Sequence, residues 1–311
     1  MREIAVFGGI SHPALTAEIC AHLDVPQRPV LLKRFANDCL EVQLQSNCRE
    51  RDVFIIQSLV RPVQEHLIEL LLMADAARGA SAARVNAVIP HYAYARSDKK
   101  DAPRISIGGR LIADLLVTAG VNRVLTLNLH SPQVHGFFSV PVDHLHALRE
   151  LAGHFRPRDL SNAVVVSPDL GYAKSAAAFA RRLGLPVAAG AKERISDAEV
   201  YITAIIGDVA GRDVIVLDDE ISRGTTVFEL LDRLRADGAR SVAVACTHGL
   251  FADNSLDKLA AAADVTEIVC TNTAPIQADH PKLTVLSVAP ALAEAIRRIH
   301  DGESVSSLFD H

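Results

Sequence analysis

The residues best suited by type and spacing to do chemistry lie at 218–226. The apolar run 214–217 ends there in two adjacent carboxylates, Asp218 and Asp219, followed after two spacers by Ser222-Arg223-Gly224-Thr225-Thr226. A hydroxyl and glycine turn at the start of a helix offers backbone N–H groups and side-chain hydroxyls, which suit a phosphate dianion. Two carboxylates would repel that phosphate. They make sense if they accept hydrogen bonds from the vicinal hydroxyls of a sugar, or bind a cation a few ångströms away. The plain structural alternative is a helix capped by Ser222 with solvated acids ahead of it. That alternative leaves unexplained why two carboxylates end so apolar a run.

Four further segments carry charge or metal-binding side chains. Arg96-Ser97-Asp98-Lys99-Lys100 follows an apolar run and a Pro90-His91-Tyr92 turn, and its mixed charges read on their own as a solvated loop. His130 and Asp169 each follow a β-branched run, in Leu129-His130-Ser131-Pro132-Gln133 and Ser167-Pro168-Asp169-Leu170-Gly171. A lone histidine is more often structural, and this chain has 13 of them. Lys192 and Arg194 stand in a stretch of small and polar residues, 188–197, that reads as a mobile loop and on composition alone is an ordinary surface loop.

The elements that must position these residues follow from periodicity. β-branched runs at 3–7, 52–57, 84–89, 123–127, 163–166, 213–217, 241–246 and 266–270 read as strands. Helical patterns lie between them at 13–22, 62–77, 105–118, 145–154, 174–183, 227–236, 255–263 and 289–300. Such alternation predicts an α/β chain with mostly parallel sheets, and 311 residues suffice for two domains. The least regular ground, 136–143, sets the expected boundary near 145, giving domains at 1–145 and 146–294. The C-terminal segment from about 295 to 311 is expected to dock back on the first domain. In open α/β sheets ligands collect beyond the carboxyl ends of strands, which is where the unusual residues fall.

Composition removes several classes. With 49% hydrophobic and 22% charged residues, and no apolar stretch of roughly 18, the chain reads as globular and not membrane-spanning. A formal charge of -5 argues against a nucleic-acid or anionic-membrane partner. An acid at Glu3 and a short apolar run do not make a secretory signal. Five scattered cysteines without a C-x-x-C pair read as reduced thiols, so the expected setting is cytoplasmic. Phe7-Gly8-Gly9-Ile10 lacks the spaced glycines of a dinucleotide site.

Residues 218–226 resemble the ribose-phosphate loop of the phosphoribosyltransferase fold. Almost the full chain is similar to the ribose-phosphate pyrophosphokinase family, through Tyr94-Ala95-Arg96-Ser97-Asp98-Lys99-Lys100-Asp101, residues 129–138, Val166-Ser167-Pro168-Asp169, Lys192-Glu193-Arg194 and Gly302-Glu303-Ser304-Val305-Ser306. The resemblance implies two tandem phosphoribosyltransferase-type (type I) domains. It also implies transfer of the β,γ-diphosphoryl group of Mg-ATP to ribose 5-phosphate. It assigns Phe35, Asn37, Arg96, Asp98, Lys99 and His130 to ATP, and His130 and Asp169 to Mg2+, for which an oxygen ligand such as Asp169 is the better match. Lys192 and Arg194 are the implied catalytic cations, and Asp218, Asp219, Ser222, Arg223, Gly224, Thr225 and Thr226 the ribose-5-phosphate site. Arg49, Ser81, Ser304 and Ser306 match an effector site that would take inorganic phosphate or ADP. Assembly as a homodimer or homohexamer is implied as well.

The chain departs from the family pattern at three places. Cys39 replaces a carboxylate two residues after Asn37, Asn47 replaces a common serine, and Thr225 stands where glycine is usual. If the last position needs a positive φ, a β-branched residue there would be strained. Arg223 would either add a charge-assisted contact or point away. These departures keep open a non-catalytic regulatory paralogue, and the shared loop keeps open a phosphoribosyltransferase, which would have no use for residues 96–100.

Overall fold

The computed structural model describes residues 3–194 and 200–308, which divide into two compact units. The first takes the chain as far as His146, the Thr273–Pro275 turn and the chain from Val288 onward; the second takes Ala147–Asn272 and Ile276–Ser287. Among the described residues no helix is long and apolar enough to cross a membrane.

In the first unit β1 (Ile4–Gly8), α1 (Pro13–Leu23) and β2 (Gln27–Arg28) lead to a hairpin of β3 (Val30–Arg34) and β4 (Leu40–Leu44). There follow β5 (Asp52–Ile56), α2 (Val63–Gly79), β6 (Arg84–Ile89), α3 (Gly108–Ala119), β7 (Arg123–Leu127) and β8 (Val142–Leu145). The main sheet runs β2-β1-β5-β6-β7-β8 with every neighbouring pair parallel. All five residues of β5 are buried, as expected of a strand covered on both faces and read from sequence as a continuous apolar run. β3 and β4 form a separate antiparallel pair in which half-buried and exposed residues alternate, the mark of a ribbon with one covered face.

The second unit comprises α4 (Leu148–Phe155), β9 (Ala163–Ser167), α5 (Ala173–Leu183), β10 (Val187–Arg194), β11 (Val200–Ile206), β12 (Asp213–Ile221), α6 (Thr225–Ala236), β13 (Ser241–Gly249), α7 (Ser255–Ala261), β14 (Val265–Thr271) and β15 (Leu283–Leu286). Its sheet runs β11-β10-β9-β12-β13-β14-β15, parallel except for the β10–β11 hairpin. One buried cluster packs α6 and α7 on the sheet through Leu230, Leu234 and Leu259, and another packs α4 and α5 through Phe155 and Phe179. α8 (Ala289–Asp301) returns to the first unit, where Arg84 donates to the carbonyls of Ile299 (3.2 Å) and His300 (3.1 Å).

The α/β class and its mostly parallel sheets match the expectation from periodicity, and all eight expected strands and helices form with ends shifted by a few residues. One expectation is corrected. The stretch around Lys192 and Arg194 is not a loop at 188–194 but strand β10, paired parallel to β9 through Ala189↔Ser167 and antiparallel to β11. Its small residues carry no alternation to read. They fit because β10 is wedged tightly: a Cβ at Gly207 would meet Ala188 Cβ at 2.5 Å. Residues 195–199, the rest of that expected loop, lie outside the described residues.

Candidate active site

In the second unit, β9 and β12 are adjacent parallel strands, so their carboxyl ends bring together Ser167-Pro168-Asp169 and Asp218-Asp219. The turn after β9 is held from within. Ser167 Oγ donates to the Asp169 carbonyl (2.6 Å) and the Tyr172 amide donates to Asp169 Oδ1 (3.2 Å), which leaves Oδ2 to face other groups. Lys192 Nζ lies 3.7 Å from that Oδ2, both side chains being half-buried.

The approach of β10 to Asp169 depends on Gly190. A Cβ there would stand 2.6 Å from the Pro168 carbonyl, so only glycine lets the strand run beside that turn. Just beyond, the register with β11 shifts between Ala191 and Lys192, and the Thr203 hydroxyl donates to the Ala191 carbonyl (3.3 Å). Such a shift re-aims the side chain that follows it. Arg194 ends β10, and its side chain lies outside the described residues.

Asp219 is buried and its amide donates to Asp218 Oδ1 (2.9 Å). Burial, reinforced by the neighbouring Asp219 and Asp169 carboxylates, holds the Asp218 carboxyl well above its ordinary range. The Tyr172 phenol is pushed up as well, by burial and then by Asp219 and Asp218. The buried pair thus resists carrying two negative charges, and a divalent cation or sugar hydroxyls would favour its ionised form. Among the described residues no three His, Cys, Asp or Glu side chains form a ready-made metal cage. An oxygen donor pair without a closed cage is the kind of site magnesium uses when substrate phosphates and water complete its shell.

After β12 the chain turns through Ser222 and Arg223 into α6. Gly224 takes the turn at φ 76° and is the N-cap of the helix. Thr225 begins α6 and is not among the positive-φ residues, so the glycine this loop needs stands one position earlier and the strain raised by the sequence does not arise. No side chain caps α6 and no acid occupies its first turn, so its leading N–H groups carry the positive end of the helix dipole uncompensated. Arg223 Nε pairs with Asp253 Oδ2 at 2.8 Å.

In the first unit the two segments 94–101 and 129–138 meet: Ser131 Oγ donates to Asp98 Oδ2 at 2.5 Å. Arg96 ends a short 3-10 turn, Ala93–Arg96, and is exposed, as are Lys99 and Lys100. Lys99 lies 3.6 Å from Asp101. His130 is exposed beyond the end of β7, after Leu129, whose amide donates to His144 Nε2 (2.8 Å). Phe35 and Asn37 occupy the exposed β3–β4 turn with Cys39; Phe35 receives Lys33 Nζ over its ring at 4.8 Å, and Asn37 Oδ1 accepts from the Cys39 amide (3.3 Å). Arg49 and Ser81 are drawn together where Arg49 bridges Ala82 and the Glu50 amide donates to the Ser81 carbonyl (3.0 Å). Ser304 and Ser306 share a turn, hydroxyl to hydroxyl at 3.0 Å.

The structure adds residues that spacing did not single out for a role. Ser131 fixes Asp98, Gly190 sets the approach of Lys192, and Tyr172 borders the Asp218–Asp219 pair. A polar residue just after a strand end was the available signal for Ser131. Gly190 needed the strand pairing to be known first.

Residues 4–120 match the family model described as the N-terminal domain of ribose phosphate pyrophosphokinase, and residues 195–310 match the phosphoribosyl synthetase-associated domain. A Streptomyces coelicolor protein is 70% identical over 312 residues, spanning 100% of this chain and 98% of its own. The ribose-phosphate pyrophosphokinase of Deinococcus radiodurans is 50% identical, spanning 98% of each chain. The crystal structure of phosphoribosylpyrophosphate synthetase from Mycobacterium smegmatis covers 97% of this chain and 100% of its own at 38% identity, with a TM-score of 0.91.

Proposed function

The chain belongs to the ribose-phosphate pyrophosphokinase family, and we propose that it transfers the β,γ-diphosphoryl group of ATP to the 1-hydroxyl of ribose 5-phosphate, giving 5-phosphoribosyl 1-pyrophosphate and AMP. One observation carries the reading at the level of the site. A repelling carboxylate pair, Asp218 and Asp219, leads within a few residues to the uncapped, acid-free start of α6. Ribose 5-phosphate presents the matching groups, vicinal hydroxyls at one end and a dianion at the other.

In the proposed reaction the 1-oxygen bonds to the β-phosphorus, the β-phosphorus to bridging-oxygen bond breaks, AMP leaves with that oxygen, and the hydroxyl proton is released. No protein nucleophile is required; positioning and charge neutralisation do the work. Asp218 and Asp219 would orient the sugar through its hydroxyls, while Ser222, Gly224, Thr225, Thr226 and the α6 amides hold the 5-phosphate. Lys192 and Arg194 would offset charge developing on the transferred group and on AMP. Arg96, Asp98, Lys99 and His130 are assigned to ATP, where an arginine fork suits phosphate better than lysine. Magnesium, when bound with ATP, would neutralise the polyphosphate; Asp169 is the better oxygen ligand for metal, and the family resemblance assigns His130 to metal as well.

The wider reading extends to a cytoplasmic setting, supported by five free cysteines of which four are buried. It extends also to self-association, as a homodimer or homohexamer, with Phe35 and Asn37 on their exposed turn reaching a neighbouring copy's ATP. Arg49, Ser81, Ser304 and Ser306 are assigned to an effector phosphate, so inorganic phosphate should activate or stabilise the protein.

The deciding experiment incubates purified protein with magnesium, ATP and ribose 5-phosphate and follows AMP and phosphoribosyl pyrophosphate. Equal amounts of the two products are expected. AMP that never appears, or that forms equally without the sugar, defeats the proposal.

A further inference from the structure

Resting on the ribose-phosphate reading above, we propose that the turn at residues 250–255, after β13, is a clamp that aims the 5-phosphate loop, with Ser255 and Asp253 as its positioning residues. Three consecutive residues, from the end of β12 into the loop, are each held by this turn. The Ile221 carbonyl accepts from the amides of Leu250 (2.9 Å) and Phe251 (3.1 Å). The Ser222 carbonyl accepts from the Ala252 amide (3.0 Å) and from Ser255 Oγ (2.7 Å). The Arg223 guanidinium pairs with Asp253 at 2.8 Å.

The consequence follows from peptide geometry. In a planar trans peptide the carbonyl of one residue and the N–H of the next point in opposite directions. With the Ile221 and Ser222 carbonyls drawn onto the turn, the N–H groups of Ser222 and Arg223 face away from it, and neither donates to a partner among the described residues. The clamp thus turns two carbonyls, which would repel a phosphate, away from the face that presents two N–H groups. These add to the uncapped amides that begin α6.

The turn is shaped for this task at a conformational cost. Phe251, Asp253 and Asn254 all take positive φ, at 43°, 56° and 59°; Asp and Asn tolerate this region, whereas for the bulky Phe251 it is an outlier that costs conformational energy. Such backbone persists where the surroundings over-determine it, and it gathers at functional sites. Ser255 is fully buried, so its hydroxyl has the Ser222 carbonyl as its fixed partner and no water to replace it.

The test measures the separate KM values for ribose 5-phosphate and ATP, kcat, and calorimetric binding of ribose 5-phosphate in the full chain carrying Ser255→Ala or Asp253→Asn. Loss of one buried hydrogen bond that aims the loop should raise the ribose 5-phosphate KM and dissociation constant about three- to tenfold in Ser255→Ala. The ATP KM should stay at the wild-type value. Asp253→Asn, at an exposed position that folding tolerates, should shift the same two quantities in the same direction, and less. Wild-type ribose 5-phosphate affinity in both variants overturns the clamp, and so does a parallel rise in both KM values. Wild-type protein that binds no ribose 5-phosphate would defeat the proposed function itself, and the clamp with it.

Discussion

Lys192 and Asp169 face each other across two neighbouring strands of one sheet, Nζ 3.7 Å from Oδ2. Neither is deeply buried, so the pair contributes little stability. It does keep an ammonium beside Asp169, the carboxylate proposed to meet magnesium. In the free protein each neutralises the other. On the proposed reaction, a magnesium ion bound with the polyphosphate would give Asp169 a stronger partner and leave the Lys192 ammonium to pair with phosphoryl oxygens.

Removing that ammonium should therefore affect the chemical step more than binding. Lys192→Ala is expected to lower kcat by about two to three orders of magnitude, the usual effect of deleting a transition-state donor, with the ATP dissociation constant changed little. Single-turnover AMP formation alongside nucleotide binding measures both. A near-normal rate would remove Lys192 from the mechanism.

Asp218 carries a cost in stability that its proposed part in sugar binding would account for. Its carboxyl is held above the ordinary value near 3.8, so above that pH the folded protein retains a proton that the unfolded chain has released. Stability then falls as pH rises from that value. Asp218→Asn removes the penalty, and the ligand-free variant should melt a few degrees higher at neutral pH, at about 2–4 °C per kcal/mol gained for a domain of this size. The same variant should bind ribose 5-phosphate weakly and turn over slowly. A melting temperature equal to or below wild type would mean that the pair is not under the strain described.

Much of this site can be read without coordinates because its parts sit at strand ends, where a buried β-branched run stops abruptly at polar residues. Val164-Val165-Val166 before Ser167-Pro168-Asp169, and Val214 to Leu217 before Asp218-Asp219, carry that signal plainly. The β10 strand carries none. Val187 to Ala191 are mostly alanine and glycine, whose sheet role comes from being wedged beside β9 rather than from any alternation. Pattern alone also left open which position of the 222–226 loop needs glycine: Gly224 fills the left-handed position and Thr225 begins the helix. In the 250–255 turn Asp253 and Asn254 are residues that tolerate a positive φ, but Phe251 is not, and nothing in the sequence ties the turn to residues 221–223.

Gly224 accordingly becomes the residue on which the loop depends. At φ 76° a side chain is unfavourable by about 1–2 kcal/mol, and its Cβ would come within 3.0 Å of the Phe228 ring. Gly224→Ala should raise the ribose 5-phosphate KM at least fivefold by tilting the first turn of α6, with the ATP KM held. Thr225→Gly, by contrast, should not tighten ribose 5-phosphate binding, since Thr225 is unstrained where it stands. Steady-state kinetics on both variants distinguish the two positions, and a gain in affinity from Thr225→Gly would contradict the assignment.

The last prediction concerns the carboxylate that ties α8 to the first unit. Asp52 is fully buried at the start of β5; Arg84 holds it in a two-pronged grip, one bond at 2.7 Å, and His300 Nδ1 stands 2.7 Å away. Burial alone would raise this carboxyl, but the hydrogen bonds from Arg84 and His300 outweigh it and hold the carboxyl below its ordinary value. A depressed carboxyl contributes stability that is complete above the unfolded value near 3.8 and is lost as pH falls through the folded one. Asp52→Asn should therefore cost about 3 kcal/mol near neutral pH, toward the lower end for a broken buried pair because Arg84 is about one-third exposed and water can still reach it. Its unfolding free energy should also change less than that of wild type between pH 5 and 2. Urea denaturation across that range measures both effects, and parallel acid limbs for the two proteins would show that Asp52 is not a group whose titration weakens the fold.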